Sequence, residues 1–163
     1  MTIGVLQEPS FETRVSLLPE AVASLTKKGI TVLVESGAGT KASAGDDDYS
    51  KAGAQLKSRT EVIASSQLLL SIHPPAPSET AGISSKVLIG VFQPLFNPGL
   101  MKQWAAGQVT TFSLDMLPRT TRAQSMDVLS SQANIAGYKA VLHAANIFPR
   151  YFPMFMTAAG SIP

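Results

Sequence analysis

Short apolar runs alternate with helical patterns along the first 114 residues, and this alternation constrains the fold more than any other feature. The first set comprises the β-branched run Thr2–Leu6, a helical pattern over Glu20–Lys28 preceded by Pro19, and the continuous apolar run Ile30–Val34. Proline is tolerated in the first turn of a helix, and a continuous β-branched run is typical of a strand buried on both faces. Strand, helix and strand in this order predict a βαβ unit with a parallel sheet.

The same rhythm continues to residue 114. Further strands are predicted at Gln67–Ile72, Lys86–Phe92 and Val109–Leu114, and further helices at Asp46–Ala52, Ser58–Ser66 and Leu100–Ala106. The segment 76–85 is predicted as a loop that contains a weak helix at most. Five strands with helices between them predict a three-layer α/β/α sandwich with a mainly parallel sheet, of the Rossmann-like or flavodoxin-like kind.

The composition excludes several classes of function. The chain has 163 residues and no cysteine, which excludes disulfides and cysteine nucleophiles, and its two histidines, His73 and His143, do not suggest a metal site. A formal charge of +2 is too small to argue for nucleic acid or an anionic membrane as a partner. The N-terminus has no basic leader before an apolar core, and no window approaches the roughly 18 consecutive apolar residues of a membrane span. We therefore expect neither a signal peptide nor membrane insertion.

A long helix is predicted from about Ser125 to Ile147. Mostly small side chains recur on one face at spacings of three and four residues, namely Leu129, Ala133, Ala136, Ala140, Ala144 and Ile147. Such a stripe suits the close approach of another backbone at an interdomain contact, and it equally suits packing on the domain's own sheet. Pro149 and Pro153 end the pattern, and the final residues TAAGSIP predict no element of their own, as if the chain stopped within a larger protein.

The polar stretch before this helix is the strongest candidate for a ligand site. It contributes Arg119, Gln124, Asp127 and Ser130 after a strand that ends at the carboxyl edge of the sheet, where open α/β folds bind their ligands. Arg119 can form paired hydrogen bonds with a phosphate or carboxylate, and Asp127 can accept hydrogen bonds from a ribose or an amide. A structural interpretation competes, because Thr121 and Gln124 fit a capping box and Asp127 suits the positive end of a helix.

Two weaker candidates lie earlier in the chain. Arg14, in the first strand-to-helix connection, could bind a small carboxylate or could be a solvated loop arginine. The stretch GAGTKA at residues 37–42 imitates a dinucleotide fingerprint, but it follows the second strand and no acidic residue ends the next one, so we interpret it as a loop. No Ser-His-Asp set can be assembled, and the spacing of the glutamates suggests no paired carboxylate chemistry.

Several longer motifs carry a resemblance to a known family. They are MTIGVLQEP, ETRVSLLPEAV, VLVESGAG, the TAAGSIP terminus and, above all, PRTTRAQSMDVLSSQANIAGYKAV. Together they resemble the alpha subunit of the proton-translocating NAD(P) transhydrogenase over the whole chain, and alanine dehydrogenase is the related family. The resemblance implies an alanine dehydrogenase/transhydrogenase N-terminal-type α/β domain over residues 1–124. Residues 125–163 would then form a long interdomain helix and a hinge that lead to an NAD-binding Rossmann domain.

The resemblance also implies an activity. The chain would be part of the NAD(H)-binding component of an enzyme that transfers a hydride from NADH to NADP⁺, which is bound by a partner component that holds NADP(H). The matching positions Arg119, Gln124, Asp127 and Ser130 would orient the nicotinamide, with no side chain acting as catalytic acid or base. The family further implies a homodimer in the cytoplasm, peripheral to the inner membrane through membrane-spanning components that transport protons. The isolated chain is expected to be inactive.

Two other functions stay open. In an alanine dehydrogenase-like substrate domain, Arg14 would bind the substrate carboxylate. That family, however, has a lysine where this chain has His73 and a catalytic histidine near the position of Gln93. This chain therefore lacks two residues that a pyruvate site of that family would have. The second alternative is a non-catalytic ligand-binding or regulatory module on the same fold.

Overall fold

The computed structural model describes residues 1–150, 152 and 155–162, and the chain divides into two units, Met1–Arg119 and Thr120–Pro163. The first unit contains, in order, β1 (Thr2–Val5), α1 (Pro19–Thr26), β2 (Thr31–Glu35), α2 (Asp46–Lys51), β3 (Gln55–Lys57), α3 (Arg59–Ser65), β4 (Leu68–Leu70), β5 (Val87–Gly90), α4 (Pro98–Ala106) and β6 (Thr110–Ser113). Short 3-10 turns at Thr40–Ala42, Pro77–Glu79 and Leu114–Met116 lie between these elements.

The strands of the first unit form one parallel sheet with the order β3-β2-β1-β4-β5-β6. Ile3 of β1 lies opposite Val32 of β2 on one side and Leu68 of β4 on the other. The chain adds β2 and β3 on one side of β1 and then returns to add β4, β5 and β6 on the other side. The boundary between β1 and β4 is therefore the topological switch point of the sheet.

Two apolar clusters cover the two faces of the sheet. Successive residues of a strand point to opposite faces, so Val32 and Val34 pack in a different cluster from Leu33. Val22 of α1 and Tyr49 of α2 belong to the cluster that contains Val32 and Val34. The second contains Val62 and Ile63 of α3 and Trp104 of α4. Helices cover both faces, which confirms the predicted three-layer α/β/α sandwich.

The sheet contains one strand that the sequence did not predict. β3 (Gln55–Lys57) is three residues long, contains a single apolar residue, Leu56, and pairs only with β2 at the edge of the sheet. Edge strands are often short and polar, because one side of the backbone faces solvent. Three residues with one apolar side chain are too few to show the alternation of apolar and polar residues that indicates a strand.

The second unit contains a 3-10 segment at Thr121–Met126, the helix α5 (Val128–Ile147) and a hairpin of β7 (Phe155–Thr157) with β8 (Gly160–Ile162). The predicted start of the long helix at Ser125 was three residues early, because the preceding residues adopt the tighter 3-10 form. The prediction that TAAGSIP has no element of its own was wrong, since a two-residue connection joins two short antiparallel strands. Pro149 follows the helix as expected, whereas Pro153 lies outside the described residues.

The side chains of α5 are exposed from Leu129 to Ile147, the two ends of the predicted stripe, and Val128 is partly buried. Across the part of the chain that the structure describes, no helix combines the length and the apolar character needed to cross a membrane.

Gly90 ends β5 at a point where the backbone leaves no room for a side chain. A Cβ atom at this position would lie 2.0 Å from the carbonyl oxygen of Ser71 and 2.5 Å from Cζ of Phe92. The Gly90→Ala substitution should therefore lower the free energy of unfolding by about 3 kcal/mol or more, because a backbone oxygen cannot yield as a flexible side chain would. Chemical denaturation measures this loss.

Gly99→Ala is the matched control, because nothing lies within 4 Å of a Cβ at this position in α4. It should leave the stability unchanged or raise it by up to about 1 kcal/mol, since alanine favours the helix. Equal stabilities for the two variants would contradict the tight packing at the end of β5.

Candidate functional site

The parallel strands place their following loops at one edge of the sheet. The loop after β1 (residues 6–18) and the segment after β4 (residues 71–76) lie beside each other there, because β1 and β4 are neighbours. Polar and charged side chains from these loops and from the end of β2 form a connected network. In open α/β folds this edge is the usual place of a ligand site.

Glu12 organises the loop after β1. Its carboxylate accepts hydrogen bonds from Nε of Arg14 at 2.9 Å and from Nη2 of Arg14 at 2.7 Å, and it lies 3.0 Å from Nε2 of His73. The His73 ring packs edge-on against Phe11, with 5.0 Å between the ring centroids. Hydrogen bonds from the Arg14 side chain hold the pKa of Glu12 well below its usual range, and the same pairing raises the pKa of Arg14. A substrate carboxylate would have to compete with Glu12 for Arg14.

This pairing makes a contribution to stability that depends on pH. The folded-state pKa of Glu12 lies below the ordinary 4.5, so its contribution is present above about pH 4.5 and is lost as the pH falls through the folded-state pKa. Glu12→Gln should lower the free energy of unfolding by roughly 1 kcal/mol at pH 7, because the Arg14 side chain is half exposed and solvent screens the pair. The difference from the parent protein should begin to shrink below about pH 4.5 and should continue to shrink as the pH falls towards 2 in denaturant titrations.

Asp47→Asn is the control for this comparison, because it also removes one negative charge but does so at an exposed position. We expect its stability to stay within about 0.5 kcal/mol of the parent protein at every pH. A constant deficit of Glu12→Gln from pH 7 to pH 2 would show that lost packing, and not the ion pair, accounts for the effect.

Glu8 joins the same two loops through the backbone. Its buried carboxylate, 7% exposed, accepts the N–H groups of Ile72 at 2.6 Å and of His73 at 3.0 Å. Burial raises the pKa of Glu8, and the two backbone hydrogen bonds oppose that rise without cancelling it. The carboxylate thus fixes the segment after β4 against the end of β1.

Arg59, the first residue of α3, connects three further segments. Its Nη1 atom donates to the carbonyl oxygen of Gln7 at 3.0 Å and to Oε2 of Glu35 at 2.8 Å, and Nε and Nη2 both pair with the carboxylate of Glu79. Glu35 also accepts the N–H of Gln7 at 2.7 Å. Pairing with the two carboxylates raises the pKa of Arg59, and the pKa of Glu79 is lowered in return. The guanidinium therefore holds the ends of β1 and β2 and the 3-10 turn Pro77–Glu79 in fixed positions.

A cavity of about 380 Å³ opens among these groups. Its walls include residues that follow or end three neighbouring strands: Gln7 and Glu8 after β1, Glu35 in β2, and Ser71 and His73 after β4. Arg59 closes it from the side of α3. The sequence did not predict this cavity, because its charged groups are brought together only by the sheet.

Asp127 and Ser130, two of the predicted ligand residues, form the N-terminal cap of α5. Asp127 Oδ1 accepts the N–H of Ser130 at 3.0 Å, and the Ser130 hydroxyl donates to Asp127 Oδ2 at 2.6 Å. The capping box predicted at Thr121 and Gln124 was wrong: Thr120 precedes the 3-10 segment, and its side chain makes no capping hydrogen bond. The reason is that the α-helix begins at Val128, so its first free N–H groups lie within reach of Asp127.

Arg119 and Gln124, the other two predicted ligand residues, have exposed side chains. Arg119 is the last residue of the first unit, and Gln124 lies in the 3-10 segment of the second. The structure thus brings Asp127 and Ser130 together directly, while the contribution of all four residues to a ligand site stays a prediction.

Two other segments singled out in the sequence have clear structures. The stretch GAGTKA forms a loop with a 3-10 turn at Thr40–Ala42, as predicted. Gln93 has a positive φ of 49°, and its carbonyl oxygen accepts the N–H groups of Phe96 and Asn97 as well as the side-chain amide of Asn97. Within the described ranges, no three His, Cys, Asp or Glu side chains lie where they could share a metal ion.

The parallel sheet and the polar loops at its carboxyl edge define a Rossmann-like α/β domain. The family model of the alanine dehydrogenase/PNT N-terminal domain matches residues 4–136, and the chain belongs to this family. It is 38% identical to the NAD(P) transhydrogenase subunit alpha of Haemophilus influenzae over 165 aligned residues, an alignment that covers 100% of this chain and 32% of the relative.

Solved structures of a transhydrogenase and an L-alanine dehydrogenase are also similar to this chain. A transhydrogenase from Sinorhizobium meliloti superposes with a TM-score of 0.91 and 39% identity, over 100% of this chain and 49% of the other. An L-alanine dehydrogenase superposes with a TM-score of 0.79 and 29% identity, over 90% of this chain and 40% of the other. The chain thus spans half or less of the length of each of these relatives.

Proposed function

We propose that this chain forms part of the NAD(H)-binding component of a proton-translocating NAD(P) transhydrogenase. The observation that carries the proposal is the likeness to the transhydrogenase subunit alpha of Haemophilus influenzae over the whole chain at 38% identity. The likeness to an L-alanine dehydrogenase is lower, at 29% identity. The pairing of Arg14 with Glu12 also favours the transhydrogenase, since an alanine dehydrogenase-like site would need that arginine for a substrate carboxylate.

Arg119, Gln124, Asp127 and Ser130 would contact the nicotinamide end of the dinucleotide. NADH supplies the hydride when it is bound, and the task of these side chains is to orient it towards NADP(H) on a partner component. Their chemistry fits a nicotinamide carboxamide, which both donates and accepts hydrogen bonds. Asp127 is a hydrogen-bond acceptor, while Arg119 and Gln124 offer exposed donors.

We further propose that residues 1–124 are one domain and that residues 125–163 lead into a second, NAD-binding domain that completes the cleft. The partners would be NADP(H)-binding and membrane-spanning components, which would place the protein at the cytoplasmic side of the inner membrane. A homodimer fits the apolar side chains that α5 exposes, such as Tyr138 and Val141, which are 66% and 61% exposed.

The activity of the complete assembly tests this proposal. The full-length subunit, combined with its partner components, should oxidise NADH when NADP⁺ or an analogue of it is supplied, and the isolated chain should show no turnover. The same assembly with pyruvate and ammonium in place of NADP⁺ should not oxidise NADH. Oxidation that depends on pyruvate and ammonium would replace the transhydrogenase by an alanine dehydrogenase-like enzyme.

A further inference from the structure

The cavity beside Arg59 lies at the switch point of the sheet, between the carboxyl ends of β1 and β4. Open α/β sheets bind ligands in the crevice at this point. A volume of about 380 Å³ is within the range of small-molecule sites. The residues that line the cavity all belong to the first unit.

The walls of the cavity are fixed by internal hydrogen bonds that use the donors of its lining residues. The N–H of Gln7 donates to Glu35, and the N–H of His73 donates to Glu8. The Ser71 hydroxyl donates to the carbonyl oxygen of His73.

The one guanidinium in the wall is also engaged. Arg59 directs Nε, Nη1 and Nη2 at Glu79, Glu35 and the carbonyl oxygen of Gln7. These bonds use four of the five N–H donors of the guanidinium, which leaves one N–H of this cation for an anionic ligand.

The two carboxylates that line the cavity, by contrast, can accept more hydrogen bonds than the protein donates to them. A carboxylate can accept about four hydrogen bonds. Glu8 accepts two, from Ile72 and His73, and Glu35 accepts two, from Gln7 and Arg59. Two carboxylates face one guanidinium in the wall, and that guanidinium also pairs with Glu79 outside it. The cavity consequently favours a ligand that is a cation and a hydrogen-bond donor.

We propose that this cavity binds a small protonated amine, whose ammonium group donates hydrogen bonds to Glu8 and Glu35. An ammonium group brings three donors and one positive charge, which matches the acceptors and the negative balance of the walls. The raised pKa of Glu8, caused by burial, agrees with a carboxylate whose charge is not fully balanced by the protein. The inference goes beyond the proposed function and does not depend on it, because no dinucleotide takes part.

Methylammonium chloride is the probe for a titration of the 163-residue chain, followed by amide NMR. The N–H groups of Gln7, Ile72 and His73 report on the site, because they donate to Glu35 and Glu8. We expect saturable shifts of these resonances with a Kd of the order of several millimolar, which suits a ligand of two heavy atoms. Potassium chloride, sodium chloride and sodium acetate at the same ionic strength should leave them unchanged. Equal shifts with potassium, saturable shifts with acetate, or no saturation with methylammonium would overturn the proposal.

Three variants locate the site. Glu35→Gln should weaken methylammonium binding at least tenfold, because it removes one charge and keeps the shape of the side chain. Glu61→Gln, at an exposed position of α3, is the matched control and should bind normally, since glutamine also completes the capping box with Ser58. Ala76→Leu narrows the cavity without changing its charge, and it should also abolish saturable binding of methylammonium. This variant tests the site even if Glu35→Gln does not fold. Normal binding by a folded Glu35→Gln or Ala76→Leu protein would refute the assignment.

Discussion

Replacing Arg119 by alanine in the complete transhydrogenase assembly should slow hydride transfer from NADH to NADP⁺ by about 100-fold. Hydride transfer needs the two nicotinamide rings in close and aligned contact, and a misplacement of about 1 Å can cost that factor. The side chain of Arg119 is exposed, so its loss should leave the stability of the chain within about 0.5 kcal/mol of the parent protein. Single-turnover kinetics under saturating nucleotides measure the effect on transfer separately from the effect on binding.

Lys102→Ala is the control for Arg119→Ala, because it removes an exposed positive charge from α4, which is not part of the PRTTRAQSMD segment. It should transfer the hydride at the parental rate. Arg119→Lys should recover only part of the rate, since an ammonium group cannot reproduce the paired donors of a guanidinium. If Arg119→Ala transferred the hydride at the parental rate, Arg119 would not be part of the nicotinamide site. That result would favour a non-catalytic module.

Replacing Asp127 by serine separates the two roles that this residue could have. Serine caps a helix about as well as aspartate, so the hydrogen bond to the N–H of Ser130 can persist and the stability should change by less than about 0.5 kcal/mol. The carboxylate, however, is lost. If it orients the nicotinamide, hydride transfer should fall by about tenfold or more, equivalent to at least 1.4 kcal/mol of transition-state stabilisation.

Asp127→Ala supplies the comparison for the capping role. It removes the cap as well as the carboxylate, and it should therefore lower the stability by about 1 kcal/mol in addition to slowing the transfer. A parental transfer rate in Asp127→Ser, together with a stability loss in Asp127→Ala, would mean that Asp127 is a helix cap only.

The fold could be predicted from the sequence because strands such as β1 and β2 are buried on both faces. Such strands appear as continuous, largely apolar runs, as at Ile30–Val34, and the helices between them have their own periodicity and end signals. β3 and the two strands of the terminal hairpin were missed because none of them is a continuous apolar run, whereas β4, which is equally short, consists of three leucines. The start of α5 was misplaced for another reason: a 3-10 segment and an α-helix have similar spacing over one turn.

The site could be predicted only where its contacts are local. Asp127 and Ser130 are three residues apart, so their association follows from helix geometry. Arg59 lies 24 residues from Glu35 and 20 from Glu79, and nothing in the spacing links them. The order of the strands brings them together, and the sequence alone does not give that order.

The central claim, that this chain is one side of a dinucleotide cleft, is tested most directly by titrating NADH into the chain alone and then with the second domain of the same protein added. Nucleotide fluorescence or calorimetry gives the affinity in both cases. We expect saturable binding only when the second domain is present, and we expect Arg119→Ala to weaken it. Tight binding of NADH to the 163-residue chain by itself would contradict the claim, because the site would then be complete within this domain.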